Sequence, residues 1–115
     1  MKTYIYALVD PRDHQVYYVG KSINPRARLT QHICQRDSSR KCRWIKYLRQ
    51  DGFKPRMCIL DSATDKEYAT ILERMWIGVL TVIGEPLLNV KEPRLMMEVL
   101  GKWLCMRNHL ADDKA

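Results

Sequence analysis

Apolar and polar positions along this chain follow a period of two near the N-terminus and a helical period further on. Residues 3 to 9 (Thr-Tyr-Ile-Tyr-Ala-Leu-Val) and 15 to 19 (Gln-Val-Tyr-Tyr-Val) are rich in aromatic and β-branched side chains, which predicts two strands. The loop Asp10-Pro11-Arg12-Asp13-His14 makes them a hairpin. Its length sets Val9 against Gln15, so that antiparallel register brings Tyr6 directly opposite Tyr18 on one face. Tyr17 then points to the opposite face. Asn24 followed by Pro25 is an N-cap and first helical residue, predicting a helix to about Cys34 with Arg28 and His32 on one face. Ser38 or Ser39 caps a second helix that turns Cys42, Ile45 and Leu48 inward and ends near Gly52. Residues 55 to 60 read as a third strand, placed at an edge because Pro55 has no backbone donor.

Thr64-Asp65-Lys66-Glu67 has the form of a capping box, opening a helix to about Ile83 that Gly84 and Pro86 stop. Its expected core stripe is Ala69, Leu72, Trp76, Val79, Leu80 and Ile83, and Glu73 falls inside it, where an ionised carboxylate needs a partner. A last helix, roughly Arg94 to Arg107, would turn Leu95, Val99, Trp103 and Met106 inward before a tail at 111–115. The expected architecture is α/β: a central three-stranded antiparallel sheet flanked by helices, formed by residues 1–90, with a C-terminal helix and tail at 91–115 packed on the same domain.

Length and charge narrow the function. The 115 residues suffice for one compact core. The net charge of +7 is concentrated, because residues 21 to 56 hold eleven Lys or Arg against Asp37 and Asp51 alone. So many like charges repel one another unless a polyanion offsets them, which points to nucleic acid. Among these cations Arg26, Arg40, Lys41, Arg43 and Lys46 are candidate phosphate contacts. The run after Met1-Lys2 is too short for a signal peptide or membrane span, so a cytoplasmic protein is expected. The four cysteines form no C-x-x-C pair and read as thiols.

Tyr4-Ile5-Tyr6, eleven residues, Tyr18-Val19-Gly20-Lys21, then Asn24, Arg28, His32, Glu73 and Leu87-Leu88-Asn89 closely resemble, in order and spacing, the GIY-YIG nuclease superfamily. The resemblance spans residues 4 to 89, with Tyr4 in place of the motif's first glycine. It implies hydrolysis of DNA phosphodiester bonds with a divalent ion, Mg²⁺ or Mn²⁺, leaving 5′-phosphate and 3′-hydroxyl ends. It further implies Glu73 as the metal ligand, suited to a hard ion that keeps several waters. Arg28 would hold the scissile phosphate. Lys21 would stand near the attacking water, unless it is only a solvated surface lysine.

By the same resemblance a hairpin tyrosine takes the proton of that water, with Tyr6 first and Tyr18 second. His32 would orient a tyrosine or the leaving-group side, and Asn89 would be a polar brace. Two further readings stand beside this one: a DNA-binding module that does not cut, and an RNA-binding or RNA-cutting protein, since basic charge does not distinguish sugars. With one active site per chain, double-strand cutting needs a homodimer or two visits, and the protein is expected to be weakly specific, structure-selective, or guided by a specificity-giving partner protein.

Overall fold

In the computed structural model, which describes residues 1–89, the elements run β1 (Thr3–Val9), β2 (Val16–Ser22), α1 (Pro25–Cys34), α2 (Arg40–Gln50), β3 (Arg56–Ala63) and α3 (Lys66–Val82). The sheet is antiparallel with order β2-β1-β3, so the fold is the expected α/β arrangement with three strands and flanking helices. The expected helix at 94–107, the tail at 111–115 and the boundary at 91 lie outside the described residues. No helix among the described residues is long and apolar enough to cross a membrane.

β1 is central because its apolar run is continuous: Ile5, Tyr6, Ala7 and Leu8 are all buried, as a strand covered on both faces requires. Ile5, with Val19 and Ala63 beside it, packs against Ala69, Leu72 and Leu80 of α3. Tyr6 and Leu8 point the other way, onto Trp44, Ile45 and Leu48 of α2. Side chains from both layers therefore meet at the hairpin.

The helix caps explain where each helix starts. The side chain of Asn24 accepts from the Ala27 N–H, and that of Ser39 from the Cys42 N–H. For α3 the cap is Asp65, not Thr64 of the expected box, because the Asp65 carboxylate reaches the Glu67 N–H at 3.0 Å. The helix ends at Val82, followed by Gly84 at φ +95°. Its buried face is Ala69, Leu72, Gly78, Leu80 and Thr81, with Trp76 and Ile77 packed beside it. Val79 and Ile83, expected inside, are 46% and 66% exposed. Thr81 can occupy the inner face because its hydroxyl donates to the Ile77 carbonyl at 2.6 Å.

The hairpin register also departs from expectation. Val9 pairs with Val16, Leu8 with Tyr18 and Tyr6 with Gly20, so Tyr6 does not face Tyr18 directly. Two features cause this. The turn is one residue longer, closed by Asp10 N–H to Gln15 O (3.0 Å) and His14 N–H to Asp10 O (2.8 Å), with His14 in the left-handed region at φ 60°. A bulge then leaves Tyr17 unpaired opposite Leu8 and Val9. The combined slip near Tyr6 is two residues, which preserves the face, so both phenols remain on one side of the sheet. Tyr17 does not alternate away. The bulge turns it to the α2 side, where it stacks on Trp44 at 4.8 Å and 10°.

The turn is fastened by Asp10, which is buried and accepts from the Arg12 guanidinium, the Arg12 N–H (2.8 Å) and the Trp44 indole N–H (3.2 Å). Arg12 reaches on to Asp51, the C-cap of α2, at 2.6 Å. The guanidinium beside it, first among these contacts, holds the Asp10 carboxyl down to about 2, so this carboxylate stays ionised above pH 3.8 and its stabilisation is lost as pH falls through 2. Replacing Asp10 by Ala strands the buried Trp44 donor and frees the turn, and a loss of about 2–3 kcal/mol is expected in a denaturant titration. A midpoint indistinguishable from wild type would show that the network does not hold the hairpin to α2.

Candidate active site

The centre of the site is Tyr6, laid across the neighbouring strand. A Cβ on Gly20 would stand 2.6 Å from Tyr6 Cζ and closer still to its hydroxyl, so only glycine leaves room for this ring at the paired position. Tyr18, two residues along the same face, has its ring 6.4 Å from that of Tyr6, tilted by 39°. His32, on the inner face of α1, is 1% exposed and its Nε2 lies 2.6 Å from the Tyr6 hydroxyl. Its ring meets both tyrosines edge-on, at 5.9 and 5.2 Å.

Burial dominates the chemistry of all three. It pushes Tyr6 up to about 12 against the pull of Arg28, whose guanidinium acts on the Tyr6 hydroxyl, and it raises Tyr18 as well. It pushes His32 down to about 4, aided by Lys41 and Arg28. At neutral pH the imidazole is therefore uncharged, and the Tyr6 O–H donates to Nε2, an assignment that follows from the network. The proton then sits on Nδ1, which is buried with no hydrogen-bond partner among the described residues.

Glu73 reaches these groups from α3. Its charge raises both Tyr6 and Tyr18, which places the carboxylate within electrostatic range of the two phenols. The two ion pairs among the described residues both belong to Arg12, and Glu73 takes part in neither. Glu73 is half-buried, and a lone carboxylate in such a place suits a hard cation that completes its shell with water and phosphate oxygens. No group of three His, Cys, Asp or Glu gathers among the described residues, so the donor set fits a weakly held ion and not a closed protein cage.

Arg28 is exposed and its guanidinium donates to Gln31 at 3.0 Å as well as acting on Tyr6. Lys21 extends from β2 to the Thr70 hydroxyl at 2.5 Å, one turn before Glu73 on α3. Asn89 braces the hairpin from outside: its amide donates to the Val19 carbonyl at 2.7 Å and its side-chain oxygen accepts from the Val19 N–H at 2.8 Å. It touches backbone and holds β2 directly beside Gly20. The structure thus brings Tyr6, Tyr18, Arg28, His32 and Glu73 together, with Lys21 and Asn89 at the margins.

Lys41 belongs here too, although charge alone groups it with the phosphate contacts. Its Nζ lies 5.2 Å from the Tyr18 ring centroid and donates to Gln35 at 3.0 Å. Nothing in the spacing marks this, since it depends on the angle at which α2 leaves the 35–39 loop. Arg40, Arg43 and Lys46 lie on the outer side of α2 and Arg26 on that of α1, all exposed.

Residues 2–81 match the family model of the GIY-YIG catalytic domain. Neither curated proteins nor solved structures give a match.

Because the His32 pKa falls from 6.5 in the open chain to about 4 here, the unfolded state binds the extra proton between those values, so stability is full above pH 6.5 and declines as pH drops toward 4. A His32→Gln variant should lack that decline in Tm over pH 6.5 to 4, a window clear of Asp10. Parallel curves for variant and wild type would refute the buried neutral imidazole.

Proposed function

Because the chain belongs to the GIY-YIG catalytic-domain family, a family of nucleases, we propose that it is a metal-dependent DNA endonuclease whose attacking water is activated by Tyr6. The observation that carries this reading is the meeting of a carboxylate with no ion pair among the described residues, a guanidinium, the buried Tyr6 phenol and the partly buried Tyr18 phenol at one end of the hairpin. A site that only bound phosphate would have no use for Glu73, which repels it.

Glu73 would hold Mg²⁺ or Mn²⁺, which when bound neutralises phosphate charge and favours ionisation nearby. Arg28, already exposed beside Tyr6, seats the scissile phosphate through its planar fork and counters the charge that builds on its oxygens. In its phenolate form, its own proton having first been lost to solvent, Tyr6 takes the proton from water and becomes the neutral phenol. Burial raises the phenol and lowers the imidazole, so both groups favour their neutral forms and His32 is not the destination of the phenolic proton. His32 instead receives the hydrogen bond of the resting phenol and fixes the direction of its oxygen, so that the phenolate, once formed, would face the cleft. Lys21, tethered at Thr70, favours the phenolate and the water's approach. Tyr18 is the second candidate base, restrained by Lys41 over its ring. Asn89 acts through the β2 backbone, as a positioning residue.

DNA would lie across the outer faces of α1 and α2, with Arg26, Arg40, Arg43 and Lys46 on backbone phosphates. One such site cuts one strand, and a second copy or a second visit cuts the other.

The decisive test compares wild type with Glu73→Gln on supercoiled, linear and branched DNA in Mg²⁺. Binding should survive while nicking falls by roughly a thousandfold or more. Undiminished cutting would remove Glu73 from the metal role, and absence of cutting by the wild type on DNA would leave only a binding module. The pH profile separates the bases. Since the Tyr6 pKa is raised to about 12, the phenolate fraction grows with pH, and the single-turnover rate should climb through pH 6–9. A plateau beginning below pH 7 would instead mark a different base.

A further inference from the structure

A cleft of about 740 Å³ opens between the end of α1, the 35–39 loop and α2, on the side of α2 away from Trp44. Of the roles above only the phosphate contact at Lys46 touches it. Its floor is apolar, made by Ile33, Cys42 and Ile45, and its rim carries the cations Arg36, Lys46 and Arg49. These three make no ion pair among the described residues. The one acid in the lining, Asp37, is already engaged: its carboxylate accepts from the Ser39 N–H at 2.8 Å and from the Gln35 amide at 2.6 Å, and the Ser39 contacts hold it well below the usual carboxylate range. The open cleft therefore attracts anions.

We infer that this cleft is a second nucleic-acid subsite that seats one unpaired nucleotide of the substrate beside the cleavage centre, a role that rests on the nuclease reading. Three observations lead there. The volume falls within the range of small-ligand pockets, roughly 300–1,000 Å³, large enough for one nucleotide. The combination of apolar floor and cationic rim matches a flat base joined to a phosphate, whereas paired DNA offers this surface only its phosphate ridge and leaves the floor wet. The cleft also shares a wall with the catalytic cluster. Ile33 follows His32 in α1, Cys42 follows Lys41 in α2, and Gln35, part of the lining, accepts from the Lys41 ammonium that lies over Tyr18. Gln35 thus joins the cleft lining to the ammonium over Tyr18. The enzyme so equipped selects DNA by local unpairing, at a bulge, flap or junction, and needs no separate domain to read sequence.

The test measures binding by the full-length Glu73→Gln protein in Mg²⁺ to a paired duplex and to the same duplex with one unpaired 2-aminopurine nucleotide. The unpaired substrate should bind on the order of tenfold more tightly. No aromatic side chain lines the cleft, so 2-aminopurine emission should rise on binding as the base leaves its stack. Adding Arg36→Ser and Arg49→Ser, both on exposed residues, should bring the affinity ratio close to one. Equal binding of the two duplexes, unchanged emission, or a preference that survives the double replacement each overturns the subsite. Because this comparison is made without cutting, its failure is separate from that of the nuclease reading, which only an inert wild type overturns.

Discussion

The phenol of Tyr6 crosses β2 at Gly20 and ends on His32, and most of the site depends on that contact. It requires the absence of a side chain at the paired position, a neutral imidazole behind the ring, and a register accurate to the residue. The register is held from two directions. At the turn, Asp10 ties the hairpin to Arg12, Trp44 and the end of α2. At the outer edge, Asn89 grips Val19 from both its amide and its carbonyl. Tyr6 is thus positioned in part by Asp10 and Asn89, which act through the hairpin and not on its ring.

Electrostatics in this cluster are set by burial first and charge second. Both phenols are raised and the histidine is lowered, because the interior disfavours any ion that lacks a partner. Arg28 opposes the first effect, and Lys41 and Arg28 both reinforce the second. The resting site is accordingly neutral at its centre, with its cations and the Glu73 carboxylate at the rim. On the proposed mechanism a bound cation would supply the charge that makes Tyr6 useful as a base, which would tie proton removal to a loaded site.

Much of this was legible in the residue pattern. The hairpin, the edge position of β3, the caps at Asn24 and Ser39, and the sharing of one face by Tyr6 and Tyr18 all rest on local rules. The errors arose where a local rule met a tertiary constraint. The longer turn and the bulge at Tyr17 shift the register by two residues, and no loop count gives a bulge. Trp44, absent from the apolar spacing expected for α2, is needed inside because Asp10 takes its N–H and Tyr17 stacks on it. The inner face of α3 is rotated toward Gly78 and Thr81, since a self-satisfied threonine packs as well as a valine there. Lys41 could not be separated from its basic neighbours without the angle of α2.

The chain after α3 also decides how the molecule meets its neighbours. Glu85 accepts from the Val16 N–H, Leu88 donates to the Tyr17 carbonyl, and Asn89 closes on Val19, so the outer rim of β2 has its ladder groups occupied. A strand from another polypeptide finds nothing to zip onto there. On the opposite rim no described strand lies beyond β3, whose Cys58 and Ile59 face solvent. Any β-augmentation of this sheet is thereby directed to the rim away from Tyr18 and β2, where crowding by a bound chain would leave the cluster of Tyr6, Tyr18 and His32 unobstructed.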